Sequence, residues 1–457
     1  MANKHFDVTE GPLLKKVILY TIPIILTNIL QLLFNAADLM VVGSKSQDFV
    51  GAVGATTPLI GLMTNLFIGL GGGVSVVVAQ SLGANTYGFT KKTVHTAIPL
   101  AFICGAFLTV LGFFFSSTFL SLMGTPDDLL FLSSKYMRIY SLGLIPSLVY
   151  NFAAAIMRAA GDTKGPLYFL LISGVINVLL NLMFVYLFNM DVDGVALATI
   201  ISQTISAVLV LISLSKRQDA CALSFKEFGI DRQALKKIIL IGLPSGIHSS
   251  LYSIGNVMIQ TSINSFGTVA LSGISAAANL EGFAYVCINS FYHTALNFSG
   301  QNYGAGKLNR VKTVYKLCIS CGLVVALIIA AIYGSLGKAL LGFYSITDPT
   351  AVTFGYIRLL LISVPYALCA MMDITTGIMR GIGSSTLPML LSIIGVCCLR
   401  LVWVFAFFEP FFPEKNYTAA VMLFLAYPVS WLVTYIAELI AFKITLKKKA
   451  RLLEASQ

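Results

Sequence analysis

From Leu14 onward the chain alternates long apolar runs with short breaks that are charged or rich in glycine and proline. The few polar residues inside the runs are mostly uncharged. A bilayer span needs about 20 apolar residues in a helix rising roughly 1.5 Å per residue. Twelve runs meet that requirement, at 14–44, 52–83, 92–118, 135–160, 166–188, 194–214, 236–264, 272–303, 313–334, 354–380, 386–408 and 418–445. The pattern predicts an all-α polytopic membrane protein with twelve transmembrane helices.

Composition excludes a soluble alternative. Of 457 residues, 57% are hydrophobic and 11% charged, and the mean hydropathy is +0.87. The first run is too long for a cleavable signal peptide and has no small-x-small site after it. A net charge of +11 suggests nucleic acid until its placement is considered. Nearly all basic residues lie between spans, so no nucleic-acid partner is expected. Lys15, Lys16, Lys91, Lys92, Arg158, Lys164, Lys236, Lys237, Lys307, Arg310, Arg380 and the tail Lys443, Lys447–Lys449 and Arg451 fall on the side of both termini. Only Lys45, Lys135, Arg138, Lys338, Arg358 and Lys415 fall on the other. The positive-inside rule then puts both termini in the cytoplasm of a cell-membrane protein.

The longest polar stretch, 215–235, reads as a cytoplasmic linker between an N-terminal six-helix lobe (1–214) and a C-terminal one with a basic tail (236–457). The two halves repeat each other. At an offset of 221 residues, Leu14-Lys15-Lys16 falls on Leu235-Lys236-Lys237, Pro23 on Pro244, Asn35 on Asn256, and Gln80 and Gly83 on Gln301 and Gly304. At 222, Ile156-Met157-Arg158 and Gly161 fall on Ile378-Met379-Arg380 and Gly383, and Asn151 on Asp373. Six helices per copy give both copies the same orientation. Parallel repeats of this kind build carriers with a site near the bilayer midplane.

Several segments carry a family resemblance: Pro23 followed by NAADLMVVG (35–43), GLGGGVSVVVAQSLGAN (69–85), IMRAAGDTKGP (156–166), GVALAT (194–199), NLEGFAYVCINSFYHTALNFSGQNYGAGK (279–307) and IMRGIGSST (378–386). From residue 10 to 445 the chain resembles a prokaryotic multidrug and toxic compound extrusion (MATE) transporter. The resemblance implies a non-enzymatic antiporter that exports amphipathic, often cationic organic compounds in exchange for H⁺ or Na⁺. Carried over from relatives, the N-lobe cation site falls on Asp38, Asn177, Asn181 and Thr199. Asn181 departs from the family, which has an acid there, and leaves Asp38 as the lobe's one carboxylate.

An acid at membrane depth costs roughly 2.5–3.5 kcal/mol even on lenient scales, so each needs a reason. Three are expected at depth: Asp38, Glu281 and Asp373. Arg400 is the one cation expected at comparable depth and cannot pair all three, so all three are assigned to cation or proton coupling, with Arg400–Asp373 pairing as the structural alternative. Glu438 is expected near the cytoplasmic end of the last helix, within reach of Lys443 or the headgroups. Asn35, Asn151, Asn256, His293 and Arg400 are candidates for lining a substrate cavity. Pro23 and Pro244 are candidate hinges, since proline frees a carbonyl one turn back.

The run Gly69-Leu70-Gly71-Gly72-Gly73 lacks the Gly-Lys-Ser/Thr of a phosphate loop and is expected to pack closely instead. Cys318-x-x-Cys321 is expected to be packing, not a metal or redox site. No cofactor or resident metal is expected beyond the coupling ion, and the protein is expected to act as a monomer in the bilayer. A second reading, a flippase for a lipid-linked precursor, would call for extra helices and several cavity arginines.

Overall fold

The computed structural model describes residues 7–344, 346 and 348–454. The described chain is helical almost throughout: α1 Leu13–Gly43, α2 Gln47–Gly83, α3 Tyr87–Leu122, α4 Asp127–Leu142, α5 Leu144–Ala159, α6 Lys164–Leu187, α7 Val192–Ser215, α8 Arg232–Asn264, α9 Thr268–Gly304, α10 Leu308–Gly342, α11 Pro349–Ser363, α12 Tyr366–Gly381, α13 Thr386–Phe411 and α14 Tyr417–Glu454. Nine of these are apolar and long enough to cross a membrane, and the pairs α4/α5 and α11/α12 form one bent span each. The remaining 33-residue helix, α8, supplies the twelfth span. It coincides with the apolar run at 236–264 and corresponds to α1 at the 221-residue offset. Exposed Phe114, Leu327 and Ile444 are the outward apolar surface that a bilayer requires.

The irregularities repeat as faithfully as the helices. The fourth span bends by 48° at Gly143 and the tenth by 43° at Val364-Pro365, and Gly143 and Pro365 correspond at the 222-residue offset. Left-handed residues close the turns after α5 and α12 at Gly161 (φ 90°) and Gly383 (φ 83°). After α2 and α9 the same role falls to Asn85 (φ 56°) and Gly306 (φ 72°), which is asparagine's tolerance of that region standing in for glycine's. A π-turn at Met183–Leu187 in α6 is matched by one at Trp403–Phe408 in α13. A further π-turn, Ile393–Cys398, belongs to α13 alone among the described residues.

The tenth span begins earlier than its hydropathy suggests. Asp348 caps it by accepting from the amides of Thr350 (2.7 Å) and Ala351 (3.1 Å), and Pro349 takes the first helical position. This start places Arg358 well inside α11 rather than near the edge of its run.

Two compact units result, residues 22–247 and residues 8–21 with 248–454. The chain changes unit inside α1 at Thr21/Ile22 and inside α8 at Ile247/His248, each within a turn of Pro23 or Pro244. In the first unit the N-terminal half of α8 lies against α2 through glycine. A Cβ on Gly73 would press on the Ile238 carbonyl and on Gly242, and one on Gly69 would collide with the Gly246 backbone. The second unit holds the N-terminal half of α1 against α9, where the hydroxyls of Thr21 and Thr294 share a hydrogen bond (2.8 Å) and Tyr20 meets Phe298 edge-on. Gly242 and Gly73 correspond to Thr21 and Thr294 at the 221-residue offset. One crossing thus relies on bare backbone and its repeat on a hydroxyl pair, both recognised modes of helix association in lipid.

Gly73→Val is expected to force α2 and α8 apart and cost about 1–3 kcal/mol, as overpacking does. A lowered melting temperature in detergent checks it. Gly72→Val is the control, since a Cβ there meets nothing within 4 Å. Equal melting temperatures for the two would disprove the close-packing role.

The segment between α7 and α8 lies along α3. Lys91 pairs with Glu227 (2.7 Å), and His95 Nε2 accepts from the Ser224 amide (3.0 Å). Hydrogen bonding from Lys91 holds the Glu227 carboxyl below its usual range, and the Ala234 amide does the same for Asp231.

Candidate functional site

In the first unit Asp38, on α1, meets Asn181, which lies one turn from Asn177 on α6. Asn181 Nδ2 donates to Asp38 Oδ1 and also, at 3.3 Å, to Asn177 Oδ1. Both asparagines are buried while Asp38 is half-buried. The Asn181 Oδ1 is buried without a partner, so the cluster has spare acceptor capacity. The α6 π-turn starts two residues past Asn181, and Val41, Val42, Tyr136, Val185 and Val195 pack nearby. Thr199 is not joined to this cluster by a hydrogen bond, because its hydroxyl donates to the Val195 carbonyl (2.9 Å).

The second unit distributes its charges differently. Glu281 and Arg358 are both buried and form a two-pronged ion pair at 2.8 Å on each prong. Arg358 also lies over the Phe424 ring at 5.5 Å. This corrects the counting of Arg358 among the charges of the outer side and the expectation that Arg400 is the one cation at depth. With Arg380 buried as well, three arginines on the spans are buried among the described residues. Asp373, on α12, is half-buried, and its Oδ2 has no hydrogen-bond partner.

Arg400 does not pair with Asp373. Its Nε donates to Ser430 (2.9 Å) and its Nη1 to Asn256 (3.4 Å), and aromatic rings surround it. Of the other cavity candidates, Asn35 is exposed and Asn151 is half-buried, donating to the Ser147 carbonyl (2.9 Å). His293 packs edge-on to Tyr292.

Glu438 is the residue that sequence reasoning misplaced. The last helix runs on to Glu454, so Glu438 lies well inside it and is fully buried. Its Oε1 accepts from Thr376 and Ser392, both at 2.9 Å, and its Oε2 has no partner. It reaches neither Lys443 nor the surface. Thr376 lies one turn beyond Asp373, and that spacing is the one trace of the grouping in sequence.

Span-length helices in two repeats, with acids and amides buried on them, define an integral membrane protein. Profile matches agree. The MatE family profile matches residues 23–183 and again 244–405, and the chain belongs to that family. It is 27% identical over 418 residues to the "Probable multidrug resistance protein YpnP" of Bacillus subtilis (strain 168), covering 90% of this chain and 92% of that one. It is 23% identical over 357 residues to the FAD transporter of Shewanella oneidensis, covering 76% and 78%. A solved structure of a multidrug resistance MATE family transporter of the MOP superfamily, in an outward-facing conformation, shares the fold with TM-score 0.89. The sequence identity there is 19%, over 99% of this chain and all of that one.

Proposed function

We propose that this protein is a secondary active antiporter that exports amphipathic, often cationic organic compounds in exchange for H⁺ or Na⁺ by alternating access. The observation that carries the reading is the Asp38–Asn181 contact within the span region. Asn181 can serve both states of the carboxyl: its Nδ2 donates to the ionised form, and after amide rotation its Oδ1 accepts from the protonated form. The same amide rotation would turn the Asn181 oxygen toward Asp38 and the Asn177 oxygen, giving a small oxygen set suited to Na⁺. A carboxylate that binds the coupling ion and a cationic substrate in turn makes the two compete, and exchange follows by mass action. Asp373, with one carboxylate oxygen unpartnered, is the second candidate for coupling.

The proposal places both termini in the cytoplasm and takes the monomer as the working unit, on the distribution of Lys and Arg and on the duplicated helices within one chain. Ethidium efflux from proteoliposomes under an imposed inward pH or Na⁺ gradient tests it. Ethidium movement driven by one of the two gradients is expected. Efflux indifferent to both would overturn the antiport reading.

A further inference from the structure

Arg400 stands near the middle of the 26-residue span α13, between the π-turns Ile393–Cys398 and Trp403–Phe408. It is 2% exposed, and no carboxylate lies within ion-pair distance among the described residues. Its guanidinium carbon lies 4.2 Å from the Tyr427 ring centre, 5.6 Å from that of Tyr252 and 5.7 Å from that of Trp431. Nε and Nη1 are used, by Ser430 and Asn256, but Nη2 has no acceptor. The buried Nε1 of Trp431 has the Tyr252 hydroxyl as its neighbour, short of ideal hydrogen-bond geometry.

A guanidinium stays charged in any protein environment, and at mid-span a charge without a counter-ion is costly. Aromatic rings stabilise its faces but do nothing for its edge donors. The duplication does not demand this charge either, since the corresponding position in the first repeat is Val178. An unserved donor on a buried charged group calls for an acceptor of high charge density. Tyr252 and Tyr427 are half-buried and Asn256 is exposed, so the open side of this group offers ring faces beside the amide.

We propose that Arg400, with Trp431 and Asn256, holds the oxyanion of an aromatic solute bearing a carboxylate or phosphate, and that Tyr252 and Tyr427 stack on its ring. The mid-span depth favours a solute over a lipid headgroup, whose phosphate stays at the interface. The inference rests on the export reading above and adds to its substrate range aromatic compounds with an anionic group.

The test uses the full chain in phosphatidylcholine nanodiscs and two probes of one ring and opposite charge, 2-naphthoate and 2-naphthylmethylammonium. Naphthoate is expected to bind the unmodified protein, about tenfold more weakly to Arg400→Gln, and a few-fold more weakly to Arg400→Lys, which keeps the charge but loses the fork. Trp431→Phe keeps the stacking and is expected to lose a few-fold. Binding of the ammonium probe should not weaken in Arg400→Gln. Equal naphthoate affinity in the unmodified protein and Arg400→Gln would overturn the proposal. If Arg400→Gln does not fold, unchanged affinity in both Arg400→Lys and Trp431→Phe overturns it instead. Loss of naphthoate binding when phosphatidylglycerol is added assigns the site to a lipid, and equal occupancy by inorganic phosphate assigns it to a bare anion; either refutes an aromatic solute. Ethidium efflux by the unmodified protein reports separately on the export reading.

Discussion

Asp38→Asn is expected to abolish gradient-driven efflux while leaving the protein folded. One charge moving down a 100 mV potential releases about 2.3 kcal/mol, which sustains roughly a fiftyfold gradient of a neutral substrate. Without a titratable or ion-binding group at this position the gradient should collapse toward unity. The fold should survive, because asparagine presents an oxygen where Asp38 Oδ1 accepts from Asn181. The stability change should therefore stay within about 1 kcal/mol. Proteoliposome efflux alongside thermal unfolding separates the two effects. Coupled efflux at the unmodified rate would remove Asp38 from the mechanism and leave Asp373 as the group to examine.

Arg358→Leu should be among the most destabilising single substitutions in the chain. It leaves Glu281 charged and buried at membrane depth, a change that typically costs about 3–5 kcal/mol when one partner of a buried pair is removed. The first repeat shows what this location tolerates. At the repeat offsets Glu281 corresponds to Ile60 and Arg358 to Tyr136, and Ile60 packs against the cluster containing Tyr136. Apolar packing thus serves in one copy where an ion pair serves in the other. The double variant Glu281→Ile/Arg358→Tyr is accordingly expected to recover most of the loss. Unfolding midpoints of the two single variants and the double variant give the coupling between the residues directly. Glu281→Gln separates stability from transport: lost coupling at an unchanged midpoint would return Glu281 to the coupling set.

Much of the architecture was legible in the residues. The span limits of α1, α2, α6, α7, α8 and α9 lie within about five residues of the apolar runs, since in lipid every backbone group must be satisfied inside its own helix. The glycine run proved to be a packing surface. The bends were not legible, because neither Gly143 nor Pro365 interrupts its apolar run. Missing the capped start at Asp348-Pro349 put Arg358 on the wrong side of the interface and made Arg400 look like the one buried cation. Glu438 was misread for a similar reason, since a nearby lysine resembles a helix end unless the helix is known to continue.

Local chemistry alone determined the membrane class, the twelve spans, the duplication and the identity of the acids that need explaining. Each of these depends on the solvent that a segment prefers or on its register against its own copy. Which acid is paired, which amide serves Asp38 and which rings surround Arg400 depend on residues as far apart in sequence as Tyr252 and Arg400. No periodicity encodes such contacts. Helices in a bilayer share the same apolar background, so the partner of a buried charge is decided by which helix faces pack together, and only the tertiary structure shows that.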